Sequence, residues 1–148
     1  MQKLFYPSFV GGRGALGLLV LRLVTGAAFI HHGWPKIQNA FHWLDQAPNA
    51  PPGLLQALAA LSEFGGGIAL ILGLLTPLAS LGIACTMVVA ITTVHLPKGD
   101  PFVAAKPGEA SFEPAAVYLA IVITLLLVGP GLLSLDALLF GRRASQST

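Results

Sequence analysis

Residues 15–33 read ALGLLVLRLVTGAAFIHHG, an apolar run with one charge, Arg22, inside it and two histidines at its far end. An α-helix needs about 20 predominantly apolar residues to cross the ~30 Å hydrocarbon core of a bilayer. In lipid the backbone must satisfy its own hydrogen bonds, so a run of this kind spans as a helix. The same criterion picks out 54–75, interrupted by Glu63, then 78–96 and 115–133. Thr76-Pro77 separates the second run from the third by forcing a turn. Four spans imply an all-α chain: an integral membrane four-helix bundle forming a single domain over 1–148.

Composition agrees. Of 148 residues, 55% are hydrophobic and 9% are charged, against roughly 25% charged in ordinary soluble domains. So few charges cannot cover a water-facing surface, and the mean hydropathy of +0.78 points the same way. A net charge of +2 without any basic run gives no reason to expect nucleic acid. The single Cys85 excludes an internal disulfide or a paired-cysteine redox motif.

Lys3 and Arg13 precede the first run as they would in a signal peptide. Arg22 within the run and the lack of a small-residue cleavage site predict that it is retained. Lys3, Arg13, Arg142 and Arg143 flank the terminal spans with Asp136 as the acid near them, whereas the other loops mix Lys36, Lys98 and Lys106 with Asp45, Asp100, Glu109 and Glu113. The excess predicts both termini in the cytoplasm. After the first span, Ile37, Ala40, Phe41 and Leu44 recur at helical spacing beside Trp34 and Trp43, which predicts a short interfacial helix.

Gly12-Arg13-Gly14-Ala15-Leu16-Gly17 matches a dinucleotide fingerprint letter for letter, yet no strand precedes it and no acid follows at the required distance. It is a lead-in to the first span. Arg22 and Glu63 are the charges well inside spans, and a buried charge faces the bundle and pairs, so the two are expected to meet. His32 and Lys36 share the Arg22 side of the helix, while His31 points away. His95 ends the third span and Tyr118 opens the fourth near Glu113, so Arg22, His32, Lys36, Glu63, His95 and Tyr118 are the candidate ligand-binding set. Polar ends are also what any spanning helix carries, so a purely interfacial role stands beside that reading. His32 and His95 alone make a poor haem clasp, and no metal site is expected. Gly65-Gly66-Gly67 and Gly73 read as close-packing positions.

The ordered set Arg22…His32-Gly33…Lys36, Glu63…Gly66-Gly67…Gly73…Thr76-Pro77 and Gly129-Pro130-Gly131…Ser134-Leu135-Asp136 resembles the DoxX family of small membrane proteins, over about 16–136. The family name is shared with a subunit of an archaeal quinone-linked oxidase, and related subunits belong to thiosulfate:quinone oxidoreductase. Some bacterial members are linked to redox-stress complexes with a superoxide dismutase and a sulfurtransferase. The resemblance implies a four-helix protein of a prokaryotic plasma membrane, redox-linked and quinone-interacting, with a protein partner supplying electrons. On that reading His32 donates to a quinone carbonyl, Glu63 relays protons, and Arg22 keeps Glu63 ionised or stabilises a semiquinone anion. A non-catalytic accessory or scaffold subunit, and a small transporter, are the alternatives, and the sequence does not decide whether the chain is catalytic.

Overall fold

The computed structural model describes residues 9–47 and 50–144 and contains five helices among them, with no strand. Helix α1 is Gly12–Ile37 and α2 is Gly53–Leu72. Helix α3 is Thr76–Lys98, helix α4 is Glu113–Val128, and a short α5, Leu135–Ala144, closes the described chain. Helices α1, α2 and α3 are each long and apolar enough to cross a membrane. At 16 residues, α4 is shorter than the run read from the sequence, and at 1.5 Å per residue it reaches about 24 Å. It stops because Gly129 takes φ 82°, ψ −176°, a conformation open to glycine and to little else.

The first span outruns its expected end. Pro35 lies inside α1, but so near the C-terminus that it deprives one carbonyl, that of His31, of a donor. Within α3, Ala90–His95 is π-helical. Pro97 removes a donor just beyond it, and the Thr92 and Thr93 hydroxyls bond back to the Val88 and Val89 carbonyls at 2.8 and 2.7 Å.

The interfacial helix expected after α1 gives way to overlapping turns over residues 38–46, closed by Asn39 N to Lys36 O at 3.2 Å and His42 N to Asn39 O at 2.9 Å. Gln56, fully buried on α2, is the reason. Its Oε1 takes the Leu44 N–H at 2.8 Å, its carbonyl takes the Trp43 indole N–H at 2.9 Å, and its amide donates to Asp45 and to the Pro51 carbonyl. The Leu44 N–H is thereby diverted from a helical ladder.

Packing begins with α1 against α2, the most extensive contact in the bundle. A Cβ at Gly26 would lie 2.6 Å from the Gly67 carbonyl oxygen, and one at Gly33 would lie 2.5 Å from the Phe64 nitrogen. Backbone meets backbone along this seam, which only glycine permits. The seam also fixes the antiparallel register, so Arg22 lies level with Leu70–Gly73, and Lys36 level with Glu63. Helix α3 packs on α2 and α4 on α3, around Phe29, Leu70, Ile83, Met87, Val122 and Leu125. Helices α1 and α4 touch sparingly, and a groove remains between them. The two ends of the described chain converge, with Leu132 N bonded to Val10 O at 2.9 Å. Lys3 lies outside the described residues.

Candidate functional site

The expected Arg22–Glu63 pair does not form. Arg22 is completely buried; its Nη1 donates to the Leu70 carbonyl at 3.3 Å and its Nη2 to the Leu133 carbonyl. Asp136, also fully buried, supplies the opposing charge. Its two carboxylate oxygens accept the backbone N–H groups of Leu75 (2.7 Å) and Thr76 (2.9 Å), and its own N–H donates to the Gly73 carbonyl at 2.8 Å. One carboxylate thus caps the otherwise unpaired donors at the start of α3. It also stabilises Leu75, the one described non-glycine residue with positive φ. Ser134 caps α5 through Ala137 N–H at 3.1 Å, and its hydroxyl donates to the Gly131 carbonyl at 2.6 Å. Three buried polar atoms here or one turn away, Arg22 Nε, Thr76 Oγ1 and Ser80 Oγ, have no partner among the described residues. This end of the bundle is a polar knot that holds four chain segments together.

Glu63 is paired at the opposite end. Both its oxygens lie 2.6 Å from Lys36 Nζ, and its side chain is 5% exposed. The ammonium sits 4.7 Å from the centre of the Trp43 ring, a cation–π contact that covers the pair. The sequence reading had the right acid and the wrong base: along α1, Arg22 is fourteen residues, ~21 Å, from Lys36.

Just outside it, Gln56 first and His42 second hold the Asp45 carboxyl below its ordinary range. A carboxylate whose folded value is depressed keeps its contribution above the unfolded value and loses it as the pH falls through the folded one. Exchange of the Trp43 indole proton is therefore expected to stay slow down to about pH 4 and to quicken only below it, as proton NMR would record.

His32 does not join Lys36 and Glu63. Both His31 and His32 are exposed, but His32 stands over Tyr118, with ring centres 6.3 Å apart and planes at 77°. Tyr118 in turn meets Phe29 edge-on at 5.0 Å. Tyr118 lines the groove between α1 and α4, an open space of about 360 Å³ walled by Val24, Glu113, Pro114, Val117 and Ile121. The side chains of His32, Glu113 and Tyr118 make no hydrogen bond or ion pair with any described residue. His95 is elsewhere engaged, its Nδ1 2.8 Å from Asp100. No group of three or more metal-ligating side chains occurs among the described residues.

Of the sequence candidates, then, the structure joins Lys36 to Glu63 and His32 to Tyr118, and gives Arg22 and His95 other partners. Gln56 and the capping role of Asp136 were missed. A lone amide inside an apolar run, like a lone acid, was the available signal for Gln56.

Residues 17–96, from within the first turns of α1 to just past the π-helical segment of α3, match the DoxX family. The chain belongs to the DoxX family. It is 32% identical over 128 residues to a protein of Bacillus subtilis (strain 168) named "Putative oxidoreductase CatD", covering 84% of this chain and 88% of that one. No solved structure matches it. The DoxX match takes in Arg22, the Lys36–Glu63 pair, Gly73 and Thr76-Pro77, and leaves Tyr118 and Asp136 beyond it. In this DoxX protein the knot and the groove therefore both need α1 from within the match and a later segment from outside it.

Proposed function

We propose that this protein is a redox-linked membrane protein that binds a quinone in the groove between α1 and α4, with electrons supplied by a protein partner. The observation that carries the reading is the chemistry of that groove. Its walls are apolar at Val24, Val117 and Ile121, as an isoprenoid tail requires; Glu113 and Tyr118 also line it, and His32 stands against Tyr118 beside the lining, all three free to hydrogen-bond. The name of the Bacillus relative supports the redox class.

A quinone supplies a carrier that takes up two electrons and two protons. The His32 imidazole and the Tyr118 hydroxyl can donate hydrogen bonds to carbonyl oxygens, and Glu113 can exchange protons with water. His32 and Glu113 stand near the same end of the bundle, toward the C-terminus of α1 and at the start of α4, and neither is covered by the rest of the protein. Lys36 and Glu63 are already satisfied by each other and act in stability. A plasma-membrane location, with the α5 end in the cytoplasm, is part of the same proposal and follows the charge excess at Arg13, Arg142 and Arg143.

Quinone extracted per mole of protein purified in mild detergent tests the reading. His32→Ala and Tyr118→Phe are each expected to lower occupancy about tenfold, the worth of one ~1.4 kcal/mol hydrogen bond. His31→Ala should leave it within a few-fold. Equal effects of the two histidine substitutions would overturn the site.

A further inference from the structure

Helix α5 has ten residues, about 15 Å, half the ~30 Å needed to cross a bilayer. Its inward side is committed. Asp136 is buried in the knot, and Gly141 lies against the Phe9 ring, whose nearest atoms would stand 3.7 Å from a Cβ there. Leu135, Leu138 and Leu139, at positions i, i+3 and i+4, form an exposed row on the other side. The sequence runs directly on into Arg142-Arg143, and Arg13 is exposed at the start of α1 on the same end of the bundle. Asp136 is the acid in α5, and both its oxygens are taken by backbone donors. This end therefore carries positive charge beside a narrow apolar row.

We propose that α5, with Arg13, lies in the lipid headgroup layer and selects anionic phospholipids. A helix too short to span, apolar on its free face and followed by arginines, has the composition of an interfacial element. A row of three leucines is far below the ~1,600 Å² typical of stable protein–protein interfaces, whereas shallow insertion needs no more. The charge complements a phosphate-rich anionic surface and gives no reason for an apolar protein partner. The inference is independent of the quinone reading, because it uses the opposite end of the bundle.

The full chain would be equilibrated in detergent with phosphatidylglycerol and phosphatidylcholine at equal concentration, and the retained lipids counted by native mass spectrometry. Retained lipid is expected to be enriched in phosphatidylglycerol. Arg142→Gln with Arg143→Gln should cut the enrichment about fivefold per arginine, the ratio that ~1 kcal/mol per basic residue near an anionic surface implies. Lys98→Gln with Lys106→Gln removes the same charge at the other end and should leave the enrichment unchanged. Lys98 and Lys106 are exposed, and a monodisperse elution profile confirms that each variant is folded. Absence of enrichment in the unmodified protein, or equal losses in the two double variants, would overturn the proposal. So would a stoichiometric protein partner released by Leu138→Gln with Leu139→Gln while lipid enrichment stays intact, since the row would then be a protein-docking surface.

Discussion

Gly73→Ala is expected to reduce the yield of folded, monodisperse protein by more than tenfold. Gly73 ends α2 at φ 63°, and its N–H and that of Leu74 bond back to the Leu70 and Ala69 carbonyls at 3.1 and 2.9 Å. This is a Schellman ending, which needs a left-handed residue. For alanine that conformation alone costs ~1–2 kcal/mol. The larger effect is steric. The new Cβ would lie 2.0 Å from Arg22 Nη1 and 2.5 Å from Ser134 Cβ. Ser134 is fixed by its bonds to Gly131 and Ala137. The guanidinium is buried among the Leu70 and Leu133 carbonyls, so it cannot withdraw without leaving a charge unpaired, a loss of ~3–5 kcal/mol. Together these approach the whole ~5–15 kcal/mol stability of a typical domain. Gly129→Ala is the control. It also has positive φ, but nothing lies within 4 Å of the added carbon, so it should show only the ~1–3 kcal/mol of backbone strain. Thermal midpoints in the same detergent would separate the two.

The contrast between these glycines shows what was legible in the sequence. The three long spans were legible because they need only local information: a long apolar run has one solution in lipid. Thr76-Pro77 marked an end for the same local reason, whereas Gly129, inside the run read as a span to residue 133, ends α4 early. Register was not local. Arg22 and Glu63 were matched by depth alone, as charges inside spans, whereas the partners are set by where two backbones touch. Gly26, Gly33 and Gly67 bring the chains together so that Glu63 meets Lys36, and Arg22 meets Gly73. Gly67 reads as a packing position from the sequence, but which glycine faces which residue is a tertiary fact. Asp136 shows the same limit. It was legible as one letter of the motif after Gly129-Pro130-Gly131, yet the helix it caps is α3, sixty residues earlier in the chain. In the groove, Tyr118 was placed near His32 by depth, and α4 happens to bring it there.

Lys36 and Glu63 are expected to be coupled, and Arg22 and Glu63 are not. Lys36→Leu and Glu63→Leu should each cost about 3–5 kcal/mol, since each strands one charge in a site where the other was its partner. Lys36→Leu with Glu63→Leu should cost much less than the sum, because the double variant replaces the pair with apolar groups in an apolar bundle. Of the two single variants, Glu63→Leu should be the milder. Lys36 is 25% exposed at its side chain against 5% for Glu63, so an orphaned ammonium can turn to water while an orphaned carboxylate cannot. Trp43 also retains part of the ammonium's attraction, at 4.7 Å. Arg22→Leu combined with Glu63→Leu should instead be additive within ~0.5 kcal/mol, as expected of sites more than ~10 Å apart with no shared partner. Stability measured in one detergent across these variants decides between the two pairings. Additive losses at Lys36 and Glu63, or coupling between Arg22 and Glu63, would mean that the α1–α2 register set by the glycine seam is not the one the protein adopts.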